Sequence, residues 1–137
     1  MEEALKMLNL PEIPNLHVNK PVSDIHIKEA ESQLNMLLPR AYKALLKQTN
    51  GCSFGGEVLL YGTEDMVERN KTWEVRQYAS GYLAIGDDGG GQVFLMRLAE
   101  EEKKVWIVDA GVMDSRHAEL LTDNFLKWVS EGCNIET

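Results

Sequence analysis

The chain has 137 residues, with 14 Lys and Arg against 22 Asp and Glu and a formal charge of −8. That length suits one domain, here residues 1–137, and allows about two-thirds of the unfolded surface to be buried, so no disulfide or metal staple is needed. The acidic balance argues against direct nucleic-acid binding, which uses clustered Lys and Arg, and favours basic partners.

The opening "MEEALKMLNL" is acidic and lacks the apolar centre of a signal peptide, and no run reaches the roughly 20 apolar residues of a membrane span. Residues Glu2–Asn9 suit a short helical turn. Pro11, Pro14 and Pro21 then forbid a continuous helix, so residues 1–22 read as an irregular arm and 23–132 as the core. Ser23 is an N-cap candidate, and Ile27, Ala30, Leu34 and Leu37 recur at helical spacing as one buried face. Pro39 stops this helix and suits the first turn of the next. Tyr42, Leu45, Leu46 and Thr49 form the second apolar face, closed by a left-handed C-cap at Asn50-Gly51.

After "GCSFGG" the pattern changes to strands, with one over Glu57–Tyr61. Gly62-Thr63 reads as a turn, with Thr63 capping a short helical piece whose first turn holds Glu64 and Asp65. "MVERNKTWEVRQYAS" is weakly helical or irregular. Strands follow at Tyr82–Ile85, Gln92–Leu98 and Lys104–Asp109, and the apolar runs in the last two predict cover on both faces. Ala110–Ala118 carries no clear element, and "HAELL" suits an edge strand. Thr122-Asp123 opens a final helix with Phe125, Trp128 and Val129 on one face, ending at Gly132. The whole predicts an α+β fold: an N-terminal helical pair, a central, mainly antiparallel sheet and a C-terminal helix.

The stretch "YLAIGDDGGGQVFLMRL" holds two aspartates and four glycines between apolar runs. A phosphate-binding Walker loop needs Lys and then Ser or Thr after its last glycine, but Gln92 and Val93 follow Gly91. A dinucleotide fingerprint needs GxGxxG opening a helix; here the spacing is GxxGGG and a strand follows. Calcium would need ligands at alternating positions and a closing carboxylate, and Asp87 and Asp88 are adjacent. The remaining reading is a hairpin loop, with glycines at positive φ and aspartates accepting backbone hydrogen bonds.

Other catalytic constellations are thin: sequence distance leaves a nucleophilic pair of Cys52 with His26 or His117 open, without a motif to support it. His17, His26 and His117 are far apart, no CxxC joins Cys52 and Cys133, and neither Ser53 nor Ser115 sits in a GxSxG elbow. The cysteines read as free cytoplasmic thiols. No cofactor and no metal are expected. Trp73, Trp106 and Trp128 read as core residues, Trp73 in the most polar surroundings. Glu64, Asp65, Asp87 and Asp88 are either a solvated face or a binding patch.

Three segments resemble a known family. "IHIKEAESQLNMLLPRAYKALLKQTNG" is similar to its helix, Leu-Pro, Tyr, paired Leu and Asn-Gly series. "YLAIGDDGGGQVFLMRL" is similar to its Ile-Gly-Asp-x-Gly-Gly hairpin, and "LLTDNFLKWVSEG" to its closing helix, here with Asp-Asn before Phe125. On these motifs the chain resembles the SUKH superfamily, in its Smi/Knr-type branch.

The resemblance implies a non-enzymatic α+β binding domain, without catalytic groups to carry over. It gives Leu38, Pro39, Asn50, Gly51, Gly86, Asp87 and Gly90 as fold determinants. Bacterial members are mostly immunity proteins that bind a cognate toxin, often a nuclease. The expected partner is therefore a basic toxin domain, met in the cytoplasm through Glu64, Asp65, Asp87 and Asp88 with Trp73 as an anchor. The alternatives are a scaffold or regulator linked to cell-wall metabolism and a small metal-dependent hydrolase using the Asp loop.

Overall fold

The computed structural model describes residues 16–55 and 57–135. The helical turn expected at Glu2–Asn9 lies outside them, as does most of the expected arm. Seven antiparallel strands are described, in sheet order β1-β2-β3-β4-β5-β6-β7. They are β1 (Leu16–Val18), β2 (Cys52–Phe54), β3 (Val58–Leu60), β4 (Tyr82–Asp87), β5 (Gln92–Arg97), β6 (Val105–Asp109) and β7 (Glu119–Thr122). The described helices are α1 (Asp24–Leu34), α2 (Arg40–Leu46), α3 (Thr63–Thr72), α4 (Val75–Tyr78) and α5 (Phe125–Ser130), with a 3-10 turn at Ser115–His117. This is the α+β arrangement that the sequence predicts.

Several boundaries differ, each for a physical reason. Regular structure starts before Ser23, because Leu16–Val18 pairs with Cys52–Phe54, which the sequence reading also missed. Three-residue strands paired across more than thirty positions leave no local pattern. Ser23 does cap α1, accepting from the His26 N–H. The helix stops at Leu34, where Asn35 turns left-handed at φ 56°. The apolar phase is lost there, so Leu37 is 75% exposed rather than part of the buried face, and Leu38 is buried.

α2 ends at Leu46 with Lys47 as its C-cap, not at Asn50-Gly51, although Gly51 does take a positive φ of 82°. Gly62, not Thr63, stands at the N-cap of α3 and supplies no side chain. Asn50 caps from a distance instead, its Oδ1 accepting from the Thr63 N–H at 2.8 Å. The segment read as weakly helical is helical through most of its length, as α3 and α4. Asn124, rather than Thr122-Asp123, caps α5 by accepting from the Lys127 N–H at 3.1 Å.

The core lies where α2 and α5 cover the sheet face bearing Phe94. Tyr42 meets Phe125 at 5.3 Å between ring centroids, and Phe94 meets Trp128 edge-on at 5.4 Å. Val93, Phe94, Leu95 and Met96 of β5 are wholly buried, so both faces are covered there. In β6, Trp106 and Ile107 are only half-buried, and cover is incomplete. The β5–β6 turn completes the frame by serving two helix starts. Glu100 O accepts from the Arg40 N–H of α2 at 2.9 Å, and Lys103 O from the Phe125 N–H of α5 at 2.7 Å. Both are donors that a helix cannot satisfy internally.

Candidate acidic interaction site

α3 carries two of the expected acidic residues, Glu64 and Asp65. It starts beside the loop Thr49–Gly51, held there by Asn50, and its flank is fastened to the sheet by Asn70. The buried amide of Asn70 accepts from the Ala84 N–H at 2.8 Å and donates to Ala84 O at 2.9 Å. β3 pairs with β4 only at Asp87 and Gly86, so Asn70 takes the place of a neighbouring strand at Ala84. Thus anchored, α3 presents Glu64 and Asp65 in its exposed first turn, where the helix dipole favours negative charge.

Glu64 faces α1. Together with Glu29 and Glu68 it lines a groove of about 270 Å³, completed by His26, Ala30, Gln33, Thr63 and Val67. Three carboxylates line this groove and no Lys or Arg does. Among the described residues, none of the three makes an ion pair. The sequence reading missed Glu29 and Glu68. The spacing Glu64–Glu68 was a usable signal, since residues four apart share a helix face. Nothing local joined either to Glu29, which the contact between α1 and α3 brings in.

The other flank of α3 is built around Tyr61, also unforeseen. Its buried ring lies 6.3 Å from that of Trp73, and its hydroxyl donates to Asp87 Oδ2 at 2.6 Å. Burial pushes the Tyr61 phenol well above its ordinary range, and the Asp87 bond and the charge of Asp65 act in the same direction, against that of Arg69. Arg69 also lies over Trp73, 5.6 Å from the ring centroid, in cation–π geometry. Asp65, Trp73 and Asp87 are therefore gathered about one tyrosine, while Glu64 belongs to the groove.

The hairpin between β4 and β5 is a turn, with Gly89 and Gly91 at φ 73° and 102°. Asp87 Oδ1 accepts from the Gly89 N–H, and Asp88 Oδ1 from those of Gly90 and Gln92. Both oxygens of Asp87 are thus engaged within the chain, whereas among the described residues only Oδ1 of Asp88 is. A Cβ at Gly86 would collide with Leu59 O, so β3 and β4 approach closely there.

Of the remaining groups, Cys52 and Cys133 are buried free thiols. Burial pushes Cys52 up to about 12 and Cys133 further, so neither is the thiolate that nucleophilic chemistry requires. Trp128 is buried, while Trp73 and Trp106 are half-buried against the core. No group of three or more His, Cys, Asp or Glu among the described residues could hold a metal ion. No described helix is long and apolar enough to cross a membrane.

No curated protein matches the chain. Residues 21–131, which hold the helix, hairpin and closing-helix motifs, match the model of the SMI1 / KNR4 family (SUKH-1), and the chain belongs to that family.

Proposed function

We propose that this is a non-enzymatic, cytoplasmic protein of the immunity type, which neutralises a cognate toxin by binding a basic surface on it. The observation that carries this reading is the α1–α3 groove, where among the described residues Glu29, Glu64 and Glu68 stand without a lining Lys or Arg and without ion pairs. Carboxylates held open in this way suit the Arg and Lys that a nuclease uses for phosphate, and they steer such a partner during encounter. In this reading Asp65 and Asp88 contribute further carboxylates to the contact and Trp73 an aromatic side chain. Family membership supports a binding role.

The test is affinity capture from the native host at low and moderate salt, comparing the natural chain with Glu29→Gln/Glu64→Gln/Glu68→Gln. A basic toxin domain should be retained by the natural chain, released progressively by salt and captured poorly by the variant. Equal capture by both chains, or recovery of wall-synthesis proteins alone, would overturn the reading.

A further inference from the structure

The acidic groove continues along the same helix seam into a second one. Beyond Gln33, which lines both, a groove of about 310 Å³ opens between the end of α1 and the α3–α4 junction. Leu34 and Met36 give it an apolar floor, and Lys71, Glu74 and Arg76 are its charged lining. Two cations stand there against one carboxylate, and among the described residues none of the three makes an ion pair. The seam therefore changes sign along its length, from three carboxylates without Lys or Arg to an end with a surplus cation.

Helical geometry fixes the order of the charges. The lining residues advance in step, from His26 to Met36 on the α1 side and from Thr63 to Lys71 on α3, so the two helices run in the same sense. Glu64, Glu68 and Lys71 stand at i, i+4 and i+7 of α3, one stripe of its surface. Glu74 then turns left-handed at φ 51°, and the chain bends there into α4, whose Arg76 joins Lys71 at the cationic end. From the middle of the Glu64–Glu68 pair to Lys71 the rise is about 8 Å. Two or three residues of extended chain cover that distance.

We propose that the whole seam receives one segment of a partner protein, and that this segment is of mixed charge: Arg or Lys enters the acidic groove, and Asp or Glu follows two or three residues along, over Lys71 and Arg76. The proposal rests on the basic-partner reading and narrows it. A segment basic throughout would set like charges against Lys71 and Arg76, whereas one with an acid at that spacing pairs at both ends. The seam then selects a partner by where its acid lies as well as by its positive charge, an attractive end and a repulsive one acting together.

The test titrates the isotope-labelled full chain at low salt with three end-blocked peptides, followed by amide chemical shifts. The first carries an arginine pair and a glutamate pair separated by a pair of alanines. The second is its isomer with alternating charges, and the third has glutamines in place of the glutamates. The block peptide should bind roughly fivefold more tightly than its isomer, the worth of pairing the exposed cationic end, and should shift amides at both ends of the seam. Lys71→Gln/Arg76→Gln, both at exposed positions, should erase that advantage with an unchanged thermal melt, while the arginine–glutamine peptide binds the variant at least as well as the natural chain. Equal binding of block and alternating peptides, or an advantage that survives in the variant, would overturn the mixed-charge partner, and binding of the arginine–glutamine peptide would then leave the acidic groove standing. Failure of all three to bind would overturn the groove reading and the proposal together.

Discussion

The Asn70 amide has two partners on one residue of β4 and a third within its own helix, the Met66 carbonyl at 2.8 Å. Removing it would strand the N–H and the C=O of Ala84 in a buried place. Each stranded group costs on the order of 1–3 kcal/mol. Asn70→Ala should therefore lower the unfolding free energy by about 3 kcal/mol in urea titrations. Asn70→Asp should recover only part of this, because a carboxylate can accept from the Ala84 N–H but cannot donate to its carbonyl. A loss under about 1 kcal/mol would mean that water or a shifted strand satisfies Ala84 instead. In the sequence Asn70 is an unremarkable polar residue within "MVERNKTWEVRQYAS", and its role exists only because β3 leaves β4 early.

Elements here are fastened largely by side chains and carbonyls from elsewhere in the chain. Glu31 on α1 accepts from the Leu38 N–H at 2.8 Å, securing the link into Pro39 and α2. Asn50 donates its backbone N–H to Lys20 O, accepts from the Asn19 side-chain amide at its own carbonyl, and caps α3. A Cβ on Gly51 would lie 2.5 Å from Gly62 N, and one on Gly62 2.6 Å from Asn50 O, so the two segments touch through glycine. Asn50→Ala should cost about 1 kcal/mol, the usual worth of an N-cap, seen as an earlier thermal midpoint. Selective fraying of the first turn of α3 in amide exchange would locate that loss.

These junctions explain what could be read beforehand. Helical faces such as Ile27–Ala30–Leu34 announce themselves by local periodicity and strands such as Val93–Met96 by an unbroken apolar run, so the α+β arrangement was legible. Caps supplied over 13 residues, three-residue strands and the groove shared by Glu29 and Glu64 depend on tertiary proximity. No local pattern encodes them.

Across the whole molecule, buried acids of low acidity couple stability to alkaline pH. Burial pushes Cys52 from its ordinary 9 up to about 12, and raises Tyr42, Tyr61 and Cys133 as well. Their protons are retained in the folded chain and released on unfolding once pH exceeds the ordinary values. The unfolded state then binds fewer protons, so stability falls as pH rises. The contribution of Cys52 is intact below about pH 9 and is lost progressively towards about 12. Urea midpoints should decline across that window, and Cys52→Ala should flatten the decline by up to one proton, whatever its cost at neutral pH. An unchanged slope would show that Cys52 already ionises in the folded protein.

The strand order carries a consequence for assembly during synthesis. Each strand pairs with its predecessor in the chain, so β4, β5, β6 and β7 can zip in sequence over residues 82–122 without threading or crossover. β1 is the exception in timing, waiting for Cys52–Phe54 to emerge before it has any partner. Both helix starts served by the β5–β6 turn wait longer still, and α2, although made early, lacks its Glu100 carbonyl until that hairpin has closed. The chain is thus built from its N-terminus but locked from its C-terminal half. A nascent chain halted before Glu100 would hold α2 with its first donor unpaired, and closure of one hairpin would complete two helices together.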